Sequence, residues 1–160
     1  MSVAELRQWF EHYDAAAVEP AAVDLRNVAW QRCLSSDLRR AQLTAEAIHR
    51  GPVQLTSLLR EVALPTLSEA RWLRLPFVVW ALLTPLAWRL NRAAQHESRA
   101  QVQQRVAAVL DKALRPGEDV LLVGHGALMR FLAAELRRRG VRGPAISRRP
   151  ANGELFVFER

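Results

Sequence analysis

Two segments widely separated along the chain, Ser35-Ser36-Asp37-Leu38-Arg39-Arg40-Ala41-Gln42-Leu43-Thr44-Ala45 and Leu121-Leu122-Val123-Gly124-His125-Gly126, each read as a strand running directly into a helix. Strands that pass straight into helices belong to a layered α/β domain, where each crossover helix returns the chain so that successive strands lie parallel. The same turns fix where polar chemistry can sit. The first N–H groups of a helix have no intrahelical partner and carry the positive end of its dipole, so both turns welcome an anion. Arg40 stands at one turn and His125 at the other, and both side chains suit a phosphoryl group as donors. The glycines on either side of His125 are expected to expose it and to permit close backbone approach.

The remaining pattern fits the same class. Ser2-Val3-Ala4-Glu5 has capping-box spacing, and Leu6, Trp9, Phe10 and Tyr13 follow at helical intervals, which predicts an opening helix ending near Ala17. A strand around Arg32-Cys33-Leu34 enters the Ser35-Ser36 turn. Ser36 is expected to cap a helix with Leu38, Ala41, Ala45 and Ile48 on one face, ended by Gly51-Pro52. A short strand is expected over Val53 to Thr56. Between Pro65 and His96 the regular pattern is lost among tryptophans, prolines and arginines, and this stretch is read as an inserted cap over a site. Ser98 with Gln101 forms a second capping box ahead of Val102, Val106, Val109, Leu110 and Leu114. Asp119 to Val123 reads as a buried strand, Gly126 to Arg139 as a helix closed by Gly140, and Glu154 to Glu159 as a last strand after an Asn152-Gly153 turn.

With 160 residues, half of them hydrophobic, the chain is sized for one domain, 1–160, with 65–96 as the cap. A net charge of +7 would suit an anionic partner, yet Lys112 is the only lysine and the rest of the positive charge is arginine. The arginines at 137, 138, 139, 142, 148 and 149 read as a basic helix end and a solvated loop, so no nucleic-acid partner is expected. The lone Cys33 excludes an internal disulfide and a cysteine zinc cluster, which points to a reducing, cytoplasmic setting. The stretch Leu75 to Trp88 is broken by Pro76 and Pro85 and falls short of the roughly 20 apolar residues that span a bilayer. Dinucleotide and nucleoside-triphosphate fingerprints are missing, as is the Gly-x-Ser-x-Gly elbow of serine esterases.

Together the Ser-Ser-x-Leu-x-Arg-Ala-x-x-Thr-Ala pattern from Ser35 and the late His125-Gly126 resemble the histidine phosphatase (phosphoglycerate mutase-like) superfamily. Leu59-Arg60-Glu61 is similar to the family's Leu-x-Glu, and Glu97-Ser98 with Arg105-Val106 resembles the pair that opens its next helix. Even the opening helix looks like a segment of some bacterial members. The resemblance implies a three-layer phosphoglycerate mutase-like sandwich with a largely parallel sheet. It also implies a phosphomonoester hydrolase acting on a small phosphorylated metabolite, with inorganic phosphate released and no metal or other cofactor required. Carried over position by position, Arg40 and His125 hold the phosphoryl oxygens, and Glu61 is the acid that protonates the leaving oxygen. For Glu61 a surface or ion-paired role fits the sequence as well, because Val62-Ala63-Leu64-Pro65 stands where the family has a glycine-containing stretch.

The family's nucleophilic histidine lies in an Arg-His-Gly element on its first strand, and no Arg-His-Gly occurs in these 160 residues. His12, His49 and His96 have no motif around them that would make one of them a substitute. The chain as given is therefore expected to be inactive, with the first strand of the sheet missing. Two readings stay open: a protein beginning upstream of Met1, which is the favoured expectation, or a non-catalytic pseudophosphatase that binds an anion or a protein partner. An open sheet edge would also invite pairing with a second copy as a homodimer.

Overall fold

A computed structural model describes residues 23–62, 97–146 and 150–159, together with Glu5, Gln8, Pro76, Val78 and Val79. The expected opening helix and the cap at 65–96 lie outside the described residues, those five positions aside. The chain divides into two compact units, Met1–Ala16 with Val62–Val102 and Ala17–Glu61 with Gln103–Arg160. The second carries the sheet and every residue of the site below.

Three strands form a parallel sheet, β1 (Arg32–Ser36), β2 (Val53–Thr56) and β3 (Val120–Val123), in the order β2-β1-β3. The two serines expected in the turn are the last residues of β1, and both are fully buried. The chain leaves β1 through helix α1 (Arg39–Ile48) to reach β2 on one side, whereas β3 lies on the other side of β1. The order therefore reverses between β1 and β3, and in open α/β sheets the crevice at the carboxyl ends of such a strand pair is where ligands bind. Register places Ser35 level with Val123, so the residues that follow each strand emerge side by side.

Helix α1 lays Ala41 and Ala45 against Cys33, Leu121 and Val123, with Ile48 packed at the margin. Its small buried residues let the helix approach the sheet closely. Burial pushes the Cys33 thiol up to about 11, so it sits in this core as an apolar group. Helix α2 (Arg99–Ala113) opens with the expected capping box: the Ser98 N–H donates to Gln101 Oε1 at 2.7 Å, and the Gln101 N–H donates to Ser98 Oγ at 3.2 Å. Helix α3 (Gly126–Arg138) ends as its sequence suggests, with Gly140 at φ +80° and the Val141 N–H donating to the Leu136 carbonyl at 3.0 Å. Arg139 ties α3 to α2 through Asp111 at 2.6 Å and the Ala107 carbonyl at 3.3 Å.

Two local expectations change. Helix α1 begins at Arg39 after Leu38, with no side-chain cap, because Ser36 is still in the strand; its hydroxyl accepts from the Leu38 N–H at 3.3 Å instead. The last segment turns at Asn152-Gly153 as expected, but among the described residues its only bridge is the antiparallel pair Arg142–Glu159, so Glu154 to Phe158 forms no strand of the sheet. Those residues stand across a cavity of about 480 Å³ from β3, lined by Val120, Leu121, Leu122, Leu155, Phe156 and Phe158 among others. The outer edge of β3 carries no strand among the described residues.

Candidate active site

Arg40 and His125, 85 positions apart, meet at the carboxyl ends of β1 and β3: the Arg40 Nε–H donates to His125 Nδ1 at 3.2 Å. Arg40 is the second residue of α1, so its side chain starts from the positive end of that helix. His125 joins β3 to α3. On its other nitrogen, Nε2 lies 3.0 Å from Ser36 Oγ. Its flanking glycines were expected to expose it, yet it is 7% accessible. Their second expected role, close backbone approach, is what the structure shows. A Cβ on Gly124 would lie 3.4 Å from the Leu59 carbonyl oxygen, and one on Gly126 would lie 3.2 Å from Pro150.

Glu61 arrives from the turn after β2. Its carboxylate accepts from the Leu128 N–H at 3.1 Å and more loosely from the Ala127 N–H at 3.4 Å. These are the donors that an N-cap side chain normally satisfies, and His125 at the N-cap makes no such bond. A carboxylate remote in sequence thus occupies the start of α3, two residues past His125.

The turn that delivers Glu61 is held from three directions. Thr56 accepts from the Leu58 N–H at 3.2 Å, which caps the single 3-10 turn Ser57–Leu59. Arg105, on α2, donates to the Leu58 carbonyl at 2.9 Å and the Arg60 carbonyl at 2.6 Å. Arg60 makes a two-pronged ion pair with Asp37 at 2.7 and 2.6 Å, bridging the loop after β2 to the loop after β1. That guanidinium holds the Asp37 carboxyl below its usual range, and His125, when charged, acts more weakly in the same direction.

Sequence reasoning placed Arg40, His125 and Glu61 in the site, and the structure gathers all three at one end of the sheet. It left Ser36, Asp37, Arg60 and Arg105 without a site role. The signal for Ser36 lay in its place inside the motif, three residues before the helix. His49 lies away from this cluster at the C-cap of α1, and His12 and His96 fall outside the described residues.

The class defined by this fold and site is an α/β protein in which an arginine and a histidine meet at a strand-order reversal. The profile of the histidine phosphatase superfamily (branch 1) matches residues 14–159, and the chain belongs to that family. No curated protein matches it. Among solved structures it is similar to a mycobacterial glucosyl-3-phosphoglycerate phosphatase, 30% identical with a TM-score of 0.49 over 70% of this chain and 59% of that one. It is also similar to a protein described as mycobacterial hydrolase 2, 30% identical with a TM-score of 0.49 over 68% and 53%. A third is TTHB049 from Thermus thermophilus, 28% identical with a TM-score of 0.46 over 70% and 62%. The chain thus spans less than two thirds of the length of these structures.

Proposed function

We propose that the junction of β1 and β3 is the phosphoryl-binding part of a phosphomonoester hydrolase site whose attacking histidine is not among these 160 residues. The observation that carries the reading is the convergence of Arg40 and His125, two cation-forming side chains, with the Arg40 Nε–H donating to His125 Nδ1 at 3.2 Å. Two such groups repel once both are charged, and an anion between them removes the repulsion and accepts from both. The ligand is a small phosphorylated metabolite or inorganic phosphate. Glu61 is assigned the proton delivered to the leaving oxygen, from its place at the Ala127 and Leu128 N–H groups, two and three residues beyond His125.

Covalent phosphoryl transfer needs an attacking group, so the chain as given is inactive. An added strand ending in Arg-His-Gly would complete the catalytic set. Support for that strand comes from the cavity beside β3, bounded by the strand edge on one side and by Leu155, Phe156 and Phe158 on the other. An extended segment there would pair with β3 and bury its apolar side chains. The alternative is a pseudophosphatase that binds its anion without turnover. Assay with a generic aryl phosphate separates the two: the chain alone gives background rates under both readings. A chain extended upstream with such a strand turns substrate over only under the first.

A further inference from the structure

We infer that Ser36 is a positioning residue that holds the His125 ring by Nε2, so that Nδ1 is the atom offered to the anion and takes up a proton as the anion binds. This rests on the phosphoryl-site reading above and deepens it. Arginine has donors and no acceptor, so the Arg40 Nε–H at 3.2 Å from Nδ1 requires a lone pair on that nitrogen. The neutral ring then carries its proton on Nε2, and Nε2–H donates to Ser36 Oγ at 3.0 Å. Ser36 is itself fixed, fully buried at the end of β1 with its oxygen also accepting from the Leu38 N–H at 3.3 Å. Its oxygen thus faces the imidazole with acceptor capacity, whether the ring is neutral or charged.

Protonation at Nδ1 would set a second donor against the Arg40 Nε–H, an arrangement that a bound anion converts into two donors on one acceptor. Ion binding and proton uptake are therefore coupled. Among the described residues, other charged groups of these loops and helices are engaged elsewhere. From the loop after β1, Asp37 is engaged by Arg60 of the loop after β2. Glu61 is engaged by the α3 backbone at 3.1 Å, and Arg105 of α2 by the Leu58 and Arg60 carbonyls. The anion enters where Arg40 now touches Nδ1, leaving the Ser36 contact unbroken.

Nitrogen-15 NMR of the histidine-labelled chain tests this without any turnover. In the free protein near the top of the histidine range, His125 should show the Nε2–H tautomer, with that proton slow to exchange. Adding sulfate, whose own charge is constant across this range, should protonate Nδ1. Sulfate affinity should weaken as pH rises through the histidine range. Ser36→Ala, checked for an unchanged amide spectrum, should lose the slowly exchanging Nε2–H and bind sulfate roughly tenfold less tightly, and Ser36→Thr should restore both. An Nδ1–H tautomer in the free parent overturns the assignment even if Ser36→Ala fails to fold. Sulfate binding with no proton uptake overturns the coupling. Absence of sulfate binding beside an intact Nε2–H signature would count against the phosphoryl site while leaving the ring geometry standing.

Discussion

Replacing Glu61 with alanine removes a carboxylate that holds two backbone N–H groups at the start of α3, at 3.1 and 3.4 Å. A lost N-terminal cap costs about 0.5–2 kcal/mol, and losing a negative charge beside a helix N-terminus adds about 0.3–1 kcal/mol. Because the 3.4 Å contact is long, the lower half of that sum is the better expectation, about 1–2 kcal/mol. With a urea dependence near 2 kcal/mol/M, the unfolding midpoint should fall by about 0.5–1 M. Glu61→Gln keeps one carbonyl acceptor without the charge, so it should lose about half as much, and its deficit should shrink as salt screens the dipole contribution. Amide exchange supplies the local readout, with Ala127 and Leu128 losing protection in Glu61→Ala while the sheet keeps its own. An unchanged midpoint with those two amides still protected would refute the reasoning and leave Glu61 free for chemistry alone.

Three further outcomes follow from the contacts. Asp37→Asn should leave global stability nearly unchanged, since Arg60 is largely solvated, but should speed exchange of the Arg60 N–H that closes the Ser57–Leu59 turn. Arg138 and Arg139 hold the Glu135 carboxyl down from 4.5 to about 2, so its contribution is fully present above pH 4.5 and lost as pH falls through about 2. Thermal melts of Glu135→Gln should accordingly trail the parent at neutral pH and converge with it in that acid window. A chain extended upstream with a strand ending in Arg-His-Gly should melt higher than the 160-residue chain, because each buried backbone group given a partner is worth about 1–3 kcal/mol. A monomeric short chain that melts as high as the extended one would favour the pseudophosphatase reading.

The parallel sheet and its helices were legible because they rest on local signals, buried apolar runs and, before α2, the Ser98–Gln101 capping box, whereas the meeting of Arg40 and His125 was carried by the family resemblance. Other features depend on pairing across the chain. Ser36 looks like an ordinary N-cap in sequence, and only the register of β1 against β3 turns its hydroxyl into a partner for His125. Glu61 stands 65 positions before the helix start it serves, a separation at which no spacing rule operates. His125 looked exposed between two small residues; it is buried, and the glycines instead let the Leu59 carbonyl and Pro150 approach the backbone on either side of it. Alternation over Glu154 to Glu159 suggested a strand, but a strand needs a neighbour, and among the described residues this segment has one bridge.

Calorimetric titration of phosphate and vanadate into the parent, Arg40→Ala and His125→Ala chains tests the shared anion site most directly. The account predicts binding by the parent and a loss of about tenfold or more in each variant, since a charged hydrogen bond is worth roughly 1.5–3 kcal/mol. The double variant should lose less than the sum, because both residues act on one anion. Equal affinities in the parent and both single variants would contradict it.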